Sequence, residues 1–168
     1  MITRALTLAG GLAGAATFAQ FPEFSQQYTQ RLAGAVDELT RVAADFDASA
    51  HAADLTREAA LDQMTGTPFL DRRRADMTAT FTRLEALQAD LAALRGAGPF
   101  LRAYEMRHLI DPQIAARAAQ DFSPALPLTF EGLIFAALGL LAGLALVSLI
   151  RRLAALILYP FRPRAKAT

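Results

Sequence analysis

Two histidines are the only imidazoles in this chain, and one of them, His108, follows Glu105 by three residues. On a helix that spacing puts carboxylate and imidazole on one face, as in half of a di-iron site. A complete site takes a second such pair and two further carboxylates. The other histidine, His51, follows Asp47 by four residues, which is a different spacing. The competing reading, two surface histidines on alanine-rich helices, is the one favoured. No metal, cofactor or catalytic residue is therefore expected, and Glu105 with His108 carries the alternative of a metal-dependent or other enzymatic membrane protein. Arg72-Arg73-Arg74 is a basic triplet that suits an acidic partner or lipid headgroups, but Asp71 and Asp76 stand beside it as local partners, as at a solvated helix start. Cysteine is absent, which excludes disulfides and thiolate metal sites.

Enzymatic signatures are missing. There is no G-x-S-x-G and no phosphate-cradling glycine loop; Gly10-Gly11-Leu12-Ala13-Gly14 lies inside an apolar run. Residues 21–131 hold all sixteen acidic side chains and eleven of the seventeen basic ones, so the centre is acidic and the ends are basic. That balance, without a basic stripe interleaved with aromatics, gives no reason to expect nucleic acid.

The elements that must position any site begin with two apolar segments. Gly132 to Ile150 is nineteen residues without a charge, closed by Arg151-Arg152. As a helix it is about 28 Å long, close to the hydrocarbon core of a bilayer. Pro127-Leu128-Thr129 precedes it, Thr129 suits an N-cap, and Glu131 suits the first turn. Phe130 and Tyr159 bracket the helix as an aromatic belt, and it should run on to about Leu158. At the other end, Ala5 to Phe21 is uncharged and spans seventeen residues, the lower limit for a crossing. A cleaved signal peptide, with Thr17-Phe18-Ala19 as a poor cleavage site, competes with a retained helix; the retained helix is favoured. Neither segment carries an ionisable residue at mid-depth, as ion pathways usually do. Arg4, Arg151, Arg152, Arg162, Arg164 and Lys166 flank the outer ends, which orients both termini to the cytoplasm. Gly10 with Gly14 and Gly139 with Gly143 are small-xxx-small faces, expected to pack the two segments together or to pair two copies.

Between them lies a helical pattern. Leu32, Leu39 and Phe46 repeat at seven, interleaved with Tyr28, Ala35 and Val42. Met77, Leu84 and Leu91 repeat at seven, with Leu87 and Leu94 as a second row and Phe81 widening the stripe. Two matched stripes predict an antiparallel, coiled-coil-like hairpin, since neither is stable in water alone. Thr56 predicts the N-cap of a short helix between them, ended by Gly66-Thr67-Pro68, with Phe69 and Leu70 at the hairpin tip and the second long helix starting near Asp71. After Gly96, Gly98 and Pro99, the residues Phe100, Leu101, Tyr104 and His108 predict one amphipathic helix, and Asp111-Pro112 opens another holding Ile114 and Ala118. No period-two run occurs, so the expected class is all-α. The expected domains are a transmembrane helix over 1–21, a helical hairpin domain over 22–126, a transmembrane helix over 127–159 and a basic tail over 160–168.

The chain resembles a proteobacterial membrane family known as a domain of unknown function, DUF2937. The resemblance is carried by Phe21-Pro22-x-Phe24, Gln27-Tyr28-x-Gln30-Arg31-Leu32, Asp45-Phe46-Asp47 and Pro127-Leu128-Thr129, and it covers nearly the whole chain. Phe130 departs from it, since the family often places a proline after that threonine. The resemblance implies a retained N-terminal helix and two spans, and supplies no activity. The expectation is a non-enzymatic structural or interaction protein of a bacterial inner membrane, with a periplasmic hairpin. Its partners are the lipid bilayer and either another protein, as in an accessory or assembly subunit of a larger complex, or further copies of itself.

Overall fold

Capping chemistry sets most of the element boundaries in the computed structural model, which describes residues 2–109, 111–124 and 128–158. Among these residues the chain forms seven α-helices: α1 (Ile2–Phe18), α2 (Phe21–Ala52), α3 (Arg57–Gln63), α4 (Pro68–Leu94), α5 (Pro99–Tyr104), α6 (Pro112–Gln120) and α7 (Phe130–Leu158). A 3₁₀ turn, Met106–Leu109, lies between α5 and α6. No strand occurs among the described residues, and the fold is all-α. Thr56 caps α3 by accepting from the N–H of Ala59 at 3.2 Å, Asp111 caps α6 through the N–H groups of Gln113 and Ile114, and Thr129 accepts from the N–H of Gly132 at 3.1 Å at the start of α7. Tyr159, Pro127 and the basic tail lie outside the described residues.

Two boundaries differ from the sequence expectation. The boundary expected between residues 21 and 22 falls earlier, at a two-residue turn of Ala19 and Gln20, so α1 stops at Phe18 and α2 resumes at Phe21, with Pro22 in its first turn where no N–H is needed. At the other end of the hairpin, Thr67 accepts from the N–H of Leu70 at 3.2 Å and Pro68 occupies the first turn, so α4 begins at Pro68 and not near Asp71. That earlier start turns Phe69 outward, 71% exposed, instead of packing it into the tip. Gly96 ends α4 in the left-handed region at φ 77°, a conformation that costs glycine nothing.

The chain divides into two compact units. One holds residues 1–23 and 123–168, the other Phe24–Phe122. In the second unit α2 and α4 run antiparallel: Phe46 meets Phe81 edge-on with ring centroids 5.4 Å apart, and Val36 and Leu91 border one hollow further along. From α4, Met77, Leu84, Leu87, Leu91 and Leu94 are all buried. From α2, Tyr28 and Leu32 are fully buried and Leu39 and Phe46 half-buried. The second row on α2 sits one residue further along than the sequence suggested. Val36, Ala43 and Ala50 are buried, whereas Ala35 and Val42 are half-buried. Hydrophobicity alone picks the valine at 42; close packing against a partner rich in leucine picks the alanine at 43, because a small side chain leaves room for the large ones.

Past Gly96, the pattern read as one amphipathic helix is divided into α5 and the 3₁₀ turn. Phe100, Leu101 and Tyr104 are exposed, and the buried residues there are Ala97 and Leu109. From α6, Ile114 and Ala118 are buried.

Candidate functional site

Among the described residues, each unit gathers side chains that could carry function. In the first unit α1 and α7 lie antiparallel. Thr7 accepts a hydrogen bond from Arg151 Nη1 at 3.3 Å toward one end, and the rings of Phe21 and Phe135 pack 5.1 Å apart toward the other. All four small-xxx-small glycines meet between these contacts. A Cβ on Gly14 or on Gly139 would be driven into the other's carbonyl oxygen, and one on Gly143 into that of Gly10. The Gly139 position would also come within 2.7 Å of the Phe18 Cβ. These obstacles are mostly backbone, so no rotamer change relieves them. Only glycine permits this approach, and dispersion contacts along both backbones are the return. Gly11, which the four-residue spacing passed over, is buried against Leu140 and Leu144. Its signal was the doublet Gly10-Gly11. One described helical stretch, Phe130–Leu156, is long and apolar enough to cross a membrane by length and composition; α1, at 17 residues, stands at the lower limit of length for a crossing.

The second gathering lies where α4, the 3₁₀ turn and the start of α6 come together. His108 Nδ1 is 2.6 Å from Asp90 Oδ1, and His108 Nε2 accepts from Arg107 Nε at 3.1 Å. The arginine donor therefore leaves the ring proton on Nδ1, facing the carboxylate. Glu105 approaches Arg107 at 3.1 Å as an ion pair without hydrogen-bond alignment, and lies 3.6 Å from His108. Neither ring nitrogen keeps a lone pair for a metal. No group of three or more His, Asp and Glu is placed to hold an ion among the described residues. His51 is exposed near the far end of α2 and is not part of this cluster.

Tyr28, read as a seam residue, also serves here. Its hydroxyl oxygen accepts from the N–H of Asp111 at 3.1 Å, and Asp111 pairs with Arg83 at 3.2 Å. Burial pushes the Tyr28 phenol above its ordinary value, with Asp111 and Asp90 adding to the effect, while the hydrogen bond from Asp111 and the Arg83 charge oppose it. At the opposite end of the hairpin, Asp47 receives two hydrogen bonds from Arg57, at 2.7 and 2.5 Å, and the guanidinium lies 4.3 Å above the Phe81 ring. Those hydrogen bonds hold the Asp47 carboxyl below its usual range and Arg57 above its own. Arg72 and Arg73 are exposed near the tip, with Asp76 4.0 Å from Arg73.

These contacts bind helices to one another; no arrangement of nucleophile, base and oxyanion donors stands among them. Searches among curated proteins and among solved structures gave no match. One family, described as protein of unknown function (DUF2937), matches residues 2–162. With nearly its whole length matched, the chain belongs to that family.

Proposed function

We propose that this protein is a non-enzymatic, membrane-anchored helical hairpin of a bacterial inner membrane, with α1 and α7 both crossing the bilayer and the α2–α4 hairpin on the periplasmic side. Its role is to hold an interaction surface off the membrane, as an accessory or assembly subunit does. The observation that carries the reading is the surface of α7. Leu133, Leu138, Leu141, Leu146 and Leu149 are each more than half exposed, and only 11% of its apolar window is buried within the fold. A core helix of a water-soluble protein buries such side chains, each worth about 1.5–3 kcal/mol; lipid supplies the missing burial here.

Retention of α1 is supported by the glycine contact. Without α1, Gly139 and Gly143 would present bare backbone to lipid and lose the packing that a glycine face exists to make. Exposed Leu6, Leu8 and Leu12 give α1 its own apolar outer face. At about 26 Å it matches a thin hydrocarbon core, while the longer α7 reaches into the interface, where Arg151 and Arg152 can meet headgroups.

The test uses the absence of native cysteine. Phe69→Cys introduces a single thiol at the exposed tip of the hairpin. A membrane-impermeant maleimide should label it in intact spheroplasts, and the protein should stay in the membrane pellet after carbonate washing. Labelling confined to inverted vesicles overturns the orientation, and release by carbonate overturns the anchor.

A further inference from the structure

Beside the hairpin seam, α2, α4 and α6 enclose a cleft of about 470 Å³. Three arginines line it, one from each helix: Arg31, Arg83 and Arg117. Residues 24–122 carry fourteen acidic and eleven basic side chains, so three converging cations run against the charge of the unit that holds them. Glu38, a carboxylate in the lining, accepts from Arg41 at 2.6 Å. Leu39 and Ile114 give the cleft an apolar wall.

Two of these guanidinium groups are held by one nitrogen each. Arg31 donates through Nη2 to Asp121, and Arg83 through Nη2 to Asp111, 3.2 and 3.3 Å from its two carboxylate oxygens. Asp111 is itself fixed by capping α6 and by the bond from its N–H to Tyr28. Nε and Nη1 of Arg31 and of Arg83 bond to no described side chain, and Arg117 has no ion pair among the described residues. Each pair therefore orients a fork and leaves donors unspent.

We infer that this cleft binds a phosphate group, with the organic part of the ligand against Leu39 and Ile114. A carboxylate spreads one charge over two oxygens in a single plane, whereas a phosphate ion or monoester directs three or more oxygens and up to two charges out of plane, which suits guanidinium forks arriving from three helices. The phosphate can belong to a soluble ion or monoester or to a lipid headgroup that ends in a phosphomonoester, and the two sources share this chemistry.

The experiment follows thermal unfolding of the full chain in an uncharged detergent by circular dichroism. Inorganic phosphate is titrated at constant ionic strength against chloride, and phosphatidic acid is titrated in parallel into the micelles. Two variants accompany the wild type. Arg117→Glu reverses the cation that has no ion pair among the described residues. Gly34→Leu fills the cleft from α2, where a Cβ meets nothing within 4 Å, and replaces a poor helix former with a good one. The expected result is a rise in Tm with either probe, an apparent affinity weakened by about ten-fold or more in Arg117→Glu, given the strength of charge-assisted bonds, and no response in Gly34→Leu despite a higher Tm without ligand. A response to inorganic phosphate identifies a soluble ligand, and a response to phosphatidic acid alone identifies the headgroup. The inference is overturned if neither probe raises Tm, or if both variants respond as the wild type does.

Discussion

Asp47 and Arg57 show how one pair ties three helices. Asp47 lies on α2, Arg57 opens α3, and the guanidinium covers Phe81 of α4, which meets Phe46 of α2 edge-on. Because the carboxyl is held below its unfolded value, the pair adds stability above the ordinary carboxylate range, and that contribution is lost as pH falls through the folded value. Asp47→Asn should therefore lower stability near neutral pH by about 0.5–1 kcal/mol, the scale of a partly exposed pair. The gap between variant and wild type should close as pH is lowered through the acid range. Thermal melts from neutral to acid pH check it; a gap that stays constant with pH would mean that the pair acts by packing alone. Tyr28 works with the opposite sign. Its raised phenol favours the fold below the unfolded tyrosine value, and that advantage is lost as pH rises through the folded one.

Among the elements, the pairing of α1 with α7 depends most sharply on side-chain size. Gly14 and Gly139 each face the other's backbone, so an added side chain cannot be absorbed by a rotamer. Gly14→Ile should push the helices apart. Nitroxide labels on cysteines at Leu8 and Leu149, both exposed, would report a longer mean distance than in the unsubstituted pair. An unchanged distance would show that the glycines are incidental to the contact. Gly34 is the useful contrast: it is helical, but a Cβ there meets nothing, so a substitution should be tolerated. Small-residue spacing is thus informative only when a partner backbone lies opposite.

For the molecule as a whole, the proposed anchoring makes α1 a lasting part of the protein. Protein purified from membranes should still yield peptides from residues 2–18 on mass mapping. Their consistent absence, with a new N-terminus near residue 19, would identify a cleaved leader and leave α7 as the single anchor.

Much of the fold was legible in the chain because it is governed by local rules. Met77, Leu84, Leu87, Leu91 and Leu94 read as one buried face from spacing alone, since a helix of 3.6 residues per turn brings those positions together whatever lies opposite. Thr56, Asp111 and Thr129 marked helix starts because an N-cap oxygen bonds to N–H groups only two or three residues away. The centre of α7 followed from the uncharged run Gly132 to Ile150, and its continuation to Leu158 from the apolar pattern that resumes after Arg151-Arg152. Tertiary structure decided what depends on a partner distant in sequence. It chose Ala43 over Val42, turned Phe69 outward, left Phe100 and Tyr104 exposed, and gave both nitrogens of His108 to Asp90 and Arg107. It also brought Arg31, Arg83 and Arg117, far apart along the chain, to one cleft. Local hydrogen bonds and periodicity are written in neighbouring residues, whereas packing volume and charge convergence exist only once separate helices have met.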